Sequence, residues 1–151
     1  MNIVALRCMA DTVTPQLGVE YAERLGITSL VSQDQTLSTA LGGLTKGVSN
    51  LELTNAFAAI ANGGTLMKPY MIDHVENVGG QTVKKFLPSA YGTLMSANDA
   101  QFLTHLMSQV VEIGTGSAMR GASYTVAGKT GSAEFEAGKE THSWFVGSSP
   151  A

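Results

Sequence analysis

The chain of 151 residues predicts an α+β fold. Three observations carry that expectation. Helical apolar spacing, with matching start and stop residues, recurs around residues 14–26, 49–64 and 96–114. A polar stretch from Met71 to Phe86 is set to turn at Gly79-Gly80 as a β-hairpin. Near the end, Val126–Glu134 and His142–Gly147 read as two short strands joined by a polar, acidic loop from Phe135 to Thr141. A hydrophobic content of 44% suffices for one ordinary core.

The first helix is expected over Asn2–Ala10, where Ile3, Leu6 and Ala10 fall at helical spacing. Thr14 then suits an N-cap and Pro15 the first helical position; Leu17, Tyr21 and Leu25 share a face, and Gly26 stops the helix. Ile27–Leu37 reads as a connector. Leu41–Val48 is glycine-rich but lacks the order of a phosphate loop. Ser49 and Glu52 form a Ser-x-x-Glu capping box, opening a helix whose Leu53, Phe57 and Ile60 are expected to be buried and which Asn62-Gly63-Gly64 ends. Pro88–Leu94 leads to Ser96, which pairs with Asp99 as a helix start; Phe102, Leu103, Leu106, Val110 and Ile113 then lie on one face. Gly114-Thr115-Gly116 is a C-cap and turn rather than a dinucleotide fingerprint.

Charge and cysteine count exclude several classes. A net charge of −3 and a pI near 5.5 leave no electrostatic footprint for nucleic acid or an acidic membrane. The single cysteine, Cys8, permits no intrachain disulfide and no cysteine-based metal cage. His74, His105 and His142 show no ligand spacing, and no cofactor or metal is expected. No apolar run approaches the roughly 18–20 residues of a membrane span.

The chemistry concentrates in Val126-Ala-Gly-Lys-Thr-Gly-Ser-Ala-Glu134. Gly128 and Gly131 weaken a strand, and glycine there marks a place where a ligand or another backbone must come close. Lys129, Thr130 and Ser132 add a cation and two hydroxyls, which suits an anionic, extended substrate laid along a sheet edge. A solvated hairpin with a chance Lys-Thr-Gly is the plain alternative. Trp144 and Phe145 read as packing of the neighbouring strand, and Glu134, Glu136 and Glu140 as solvated charge.

Val126–Glu134, followed by Ser143-Trp-Phe-Val-Gly147, resembles the third active-site motif of penicillin-binding proteins, the serine DD-transpeptidases that cross-link peptidoglycan. Leu41–Thr65 and Met67-Lys-Pro-Tyr70 resemble the same family upstream of that motif, so the resemblance runs over nearly the whole chain. It implies a partial transpeptidase domain over 1–151: an antiparallel sheet flanked by helices, with a helical part at about 1–65, a hairpin excursion at about 66–90, a helix at about 96–114 and active-site strands at about 124–148. Residues 2–65 look more like the bifunctional class A enzymes and residues 66–147 more like class B.

By that resemblance Lys129 serves the serine of the Ser-x-Asn motif and lends positive potential to the substrate's terminal carboxylate. Thr130 and Ser132 offer hydroxyls to it, the Ser132 N–H is one oxyanion-hole donor, and Gly131 admits the peptide. Asn2 is the motif asparagine touching the substrate amide, or else an ordinary cap. The motif serine is then expected before Met1. No serine here has a lysine three residues on, so the Ser-x-x-Lys nucleophile is absent and this chain alone is expected to be inactive. Ser96-Ala97-Asn98 also spells Ser-x-Asn, but is read as a helix cap. The implied partners are peptidoglycan stem peptides, β-lactams as inhibitors and the remainder of the parent chain, with no nucleic acid. The implied location is the outer face of the bacterial cytoplasmic membrane. A β-lactam sensor, a β-lactamase-like hydrolase and a non-enzymatic binding module are the competing readings.

Overall fold

The computed structural model describes residues 2–134 and 141–149. Helix α1 (Asn2–Cys8) runs into a π-helical turn (Met9–Val13), so the first helical stretch is longer than its apolar spacing indicates. Thr14 closes that turn with φ 70° and at once accepts the Leu17 N–H at 3.3 Å, opening α2 (Pro15–Arg24). Gly26, at φ 89°, takes the left-handed conformation that ends α2.

Two short 3₁₀ turns, Ser32–Asp34 and Leu37–Leu41, replace the featureless connector. Their centre is Asp34, only 1% exposed. Its carboxylate accepts the Val31 N–H at 2.9 Å, the Thr45 N–H at 2.7 Å and the Thr45 hydroxyl at 2.6 Å. The Thr39 hydroxyl donates to its backbone carbonyl. A buried carboxylate persists only when its lone pairs are filled, and these donors hold its pKa below the ordinary value.

Helix α3 (Asn50–Ala61) opens on a reciprocal capping box: the Ser49 hydroxyl accepts the Glu52 N–H, and the Glu52 carboxylate accepts the Ser49 N–H at 2.9 Å and hydroxyl at 2.7 Å. The other carboxylate oxygen accepts the Thr28 N–H at 2.7 Å, the Thr28 hydroxyl at 2.8 Å and the Ser29 N–H at 3.1 Å. One side chain thus ties the start of the connector after α2 to the start of α3. At the far end Gly64 donates to the Ala59 carbonyl at 2.8 Å, the signature of a Schellman stop. Gly64 also has φ 89°, and a Cβ there would collide with the Met95 carbonyl oxygen.

Strand β1 (Thr65–Met67) pairs antiparallel with β4 (Ala90–Thr93), with a bulge at Leu66/Met67. Neither strand stands out in the sequence, because each is too short to show alternation. Between them β2 (His74–Glu76) and β3 (Thr82–Lys85) form an exposed hairpin. Asn77 Oδ1 accepts the Gly79 and Gln81 N–H groups, and Gly80 sits at φ 76°. His74 lies between Asp73 and Glu76, at 2.8 and 3.0 Å, and these carboxylates raise its pKa.

Helix α4 (Ala97–Glu112) is capped by Ser96, whose hydroxyl accepts the Asp99 N–H at 3.1 Å and donates to the Asp99 carboxylate at 2.6 Å. After a 3₁₀ turn (Ser117–Met119) come β5 (Ala127–Glu134) and β6 (Thr141–Ser148), an antiparallel pair in unbroken register. Helix α4 packs against β5, α3 against β6, and the two helices against each other. The described strands make three two-stranded antiparallel pairs. Mixed helices and antiparallel strands are the α+β class that the sequence predicts.

The core is built from small side chains: Val19, Ala56, Ala59, Leu66, Ala100, Val111, Val126 and Ala127 are buried. This corrects the expected helix faces. On α4 the buried line is Ala100 and Val111, with Thr104 and Met107 half-buried between them, whereas of the expected face Phe102, Leu103, Leu106 and Ile113 are exposed and Val110 is half-buried. On α2 Val19 is buried, and Leu17 and Tyr21 are exposed. On α3 Ala56 and Ala59 sit deepest, and Leu53, Phe57 and Ile60 are half-buried. Alanine is a weak apolar signal in a sequence, yet it lets helices approach most closely.

Candidate active-site strand

Val126, Ala127 and Gly128 are buried, and the strand emerges at Lys129. Partner residues across an antiparallel pair share a face, and successive residues alternate. Thr130 faces Phe145 and Ser132 faces Ser143, so both hydroxyls lie on one side. Lys129 opposes Val146 and Gly131 opposes Trp144, on the other. Among the described residues the second edge of β5 pairs with no strand, which leaves peptide groups available to an added one.

The two glycines of this stretch differ in kind. At Gly128 a Cβ would stand 2.5 Å from Phe145 Cζ and 2.8 Å from the Val146 carbonyl oxygen, so that glycine serves packing. At Gly131 a Cβ would meet only Trp144 Cβ, at 3.8 Å, an ordinary contact, and φ is not in the left-handed region. Nothing in the described fold requires glycine there. A bare Cα on an exposed strand without an internal reason is what a closely approaching ligand backbone needs.

Lys129 is exposed, and its ammonium donates to the Thr130 carbonyl oxygen at 2.6 Å. The Thr130 hydroxyl lies 2.6 Å from that of Thr115, which follows α4. Ser132 is exposed, and among the described residues its hydroxyl has no hydrogen bond. Two shallow hollows lie elsewhere, one of about 290 Å³ between α3 and β6, the other of about 310 Å³ lined by Val111–Glu112 and residues 119–126. Neither includes Lys129, Thr130, Gly131 or Ser132.

Asn2 is exposed at the start of α1, which packs on the 37–41 turn; among the described residues no hydrogen bond joins it to β5. Lys129, Thr130, Gly131 and Ser132 are therefore brought together by one strand, and Asn2 stands apart. Phe145 covers Gly128 and Gly147, which is packing, as expected of that residue. Glu136, Glu140 and the loop over residues 135–140 lie outside the described residues. Sequence reading missed Thr115: a threonine between two glycines signals a turn, and its reach to a strand fifteen residues on is visible only in the fold.

Known proteins share this fold. The profile described as penicillin binding protein transpeptidase domain matches residues 17–151. Penicillin-binding protein 4 of Bacillus subtilis (strain 168) is 34% identical over 147 residues, covering 97% of this chain and 22% of that protein. The solved D,D-transpeptidase domain of a peptidoglycan glycosyltransferase from Eggerthella lenta superposes with a TM-score of 0.82 at 27% identity, over 99% of this chain and 43% of that one. Penicillin-binding protein A of M. tuberculosis, solved as an imipenem acyl-enzyme complex, shares the fold with a TM-score of 0.75 at 20% identity, over 92% of this chain and 37% of that one. The chain thus spans about a fifth of the length of the curated relative and less than half of the solved domains. With the profile matching nearly its whole length, the chain belongs to the penicillin binding protein transpeptidase domain family.

Proposed function

We propose that this chain supplies the substrate-holding strand of a peptidoglycan DD-transpeptidase working outside the cytoplasmic membrane, the nucleophile coming from another segment. The observation that carries the reading is Lys129-Thr130-Gly131-Ser132 on an exposed strand with a free edge, where Gly131 has no packing reason to be glycine. In the reaction a serine oxygen bonds to the carbonyl carbon of the penultimate D-Ala. The bond to the terminal D-Ala nitrogen breaks, that nitrogen gains a proton, and D-Ala leaves. An amine of a neighbouring stem then attacks the ester, forming the cross-link amide and returning the serine.

Lys129 draws the terminal carboxylate by charge, and Thr130 and Ser132 donate their hydroxyl protons to it. The Ser132 N–H helps hold the oxyanion; one such donor contributes about 2.7–4 kcal/mol to transition-state stabilisation. Gly131 lets the stem backbone lie close, and Asn2 binds the stem amide once a completed domain brings it near. β-Lactams acylate the same serine.

Fluorescent penicillin tests this. The full gene product is expected to label covalently and to lose most labelling on Lys129→Ala, whereas residues 1–151 alone stay unlabelled. A full product that never labels, or whose labelling survives Lys129→Ala undiminished, overturns the reading. An adduct that turns over rapidly assigns the strand to a hydrolase.

A further inference from the structure

We infer that Thr115 is a positioning residue for Thr130, and that the Gly114-Thr115-Gly116 turn is built to hold it there. The inference rests on the carboxylate-binding reading of β5. A Cβ on Gly114 would stand 2.8 Å from the Val110 carbonyl oxygen, and one on Gly116 would stand 3.1 Å from the same atom. The Gly116 N–H donates to that carbonyl at 2.9 Å. The turn is thus pressed onto the last turn of α4 by two residues that have no side chain to obstruct it. Thr115, between them, is exposed and reaches back to place its hydroxyl 2.6 Å from that of Thr130.

An exposed hydroxyl pair adds little to stability, because water replaces either partner. What it fixes is the direction of a proton. A carboxylate only accepts, so a ligand at Thr130 must receive the Thr130 proton. The Thr130 oxygen is then free to accept only, and Thr115 donates to it. Thr115 to Thr130 to carboxylate becomes a chain in which each hydrogen bond polarises the next. Ser132, on the same strand face, has no such donor behind it among the described residues, which makes Thr130 the oriented member of the pair.

The test uses the full gene product and two acyl-donor thioesters, one ending in a free carboxylate and the other bearing a methyl group in place of that carboxylate. Thr115→Val is expected to slow acylation by the carboxylate compound about three- to tenfold, to leave the methyl compound's rate unchanged, and to keep the melting temperature. Thr115→Ser restores the rate. In a Thr130→Val background Thr115→Val has no further effect on the carboxylate compound. Equal slowing with both compounds, no slowing with either, or additive losses in the double variant overturn the inference. Wild-type protein that neither thioester acylates rejects the strand reading itself, a different result from normal wild-type acylation that Thr115→Val leaves untouched.

Discussion

The ring of Phe145 lies over the bare Cα of Gly128, two positions along the strand from Thr130, its own partner across the pair. The same ring crowds Gly147, where a Cβ would stand 3.0 Å from Cε1. Both glycines are therefore seats for an aromatic side chain, while Gly131, three residues on, seats nothing in the described fold. The two uses of glycine predict opposite phenotypes. Gly128→Ala forces the ring or the strand to move and is expected to cost about 1–3 kcal/mol in denaturant unfolding. Gly131→Ala is expected to leave stability nearly unchanged and to slow acylation of the full product. Equal loss of stability in the two variants would remove the argument that Gly131 is kept for a ligand.

Ser96 offers a second separation of structure from chemistry. Its hydroxyl is engaged at the start of α4, accepting the Asp99 N–H and donating to the Asp99 carboxylate. Ser96→Ala is expected to cost about 1 kcal/mol of stability, the usual worth of an N-cap, with penicillin labelling unchanged. Labelling abolished at unchanged stability would instead make Ser96-Ala97-Asn98 the second motif.

Glu52 gives a pH dependence with a definite sign. Hydrogen bonds from the Ser49 backbone and side chain, then from Thr28, lower its pKa from 4.5 to about 2. A carboxylate depressed on folding stabilises the native state above its unfolded pKa and loses that contribution as pH falls through the folded one. The Glu52 contribution is thus complete above pH 4.5 and fades toward pH 2, with Asp34, also lowered, adding in the same direction. Glu52→Gln is expected to lower stability at neutral pH and to flatten its fall between pH 4.5 and 2. Denaturant midpoints measured across that window check both effects, and an unchanged slope would refute the assignment.

These results also show which features were legible in the sequence. Helix caps were, because Thr14, Ser49 and Ser96 act on backbone groups within three residues and their chemistry is local. That Lys129, Thr130, Gly131 and Ser132 share one strand was legible for a similar reason, since the pattern of that strand is local. Long-range partners were not. Asp34 sits in a segment with no periodicity, and its donor Thr45 lies eleven residues away. Thr115 meets Thr130 only because α4 ends beside β5. Helix faces misled where alanine lines the contact, since Ala100 carries less apolar weight in a sequence than Phe102 although only the first is buried.

Phe102, Leu106 and Ile113 are 62%, 46% and 81% exposed and fall within about 40° of one another around the helix. Burying each such side chain is worth about 1.5–3 kcal/mol, so three in a row form an adhesive stripe in water. Residues 1–151 are expected to bind a hydrophobic dye and to self-associate as concentration rises. Phe102→Gln, Leu106→Gln and Ile113→Gln together should suppress both effects without lowering the melting temperature, because all three side chains are exposed. If the triple variant instead melts much earlier at every protein concentration, the stripe is packed inside the folded monomer and Ala100–Val111 is not the inward face of α4.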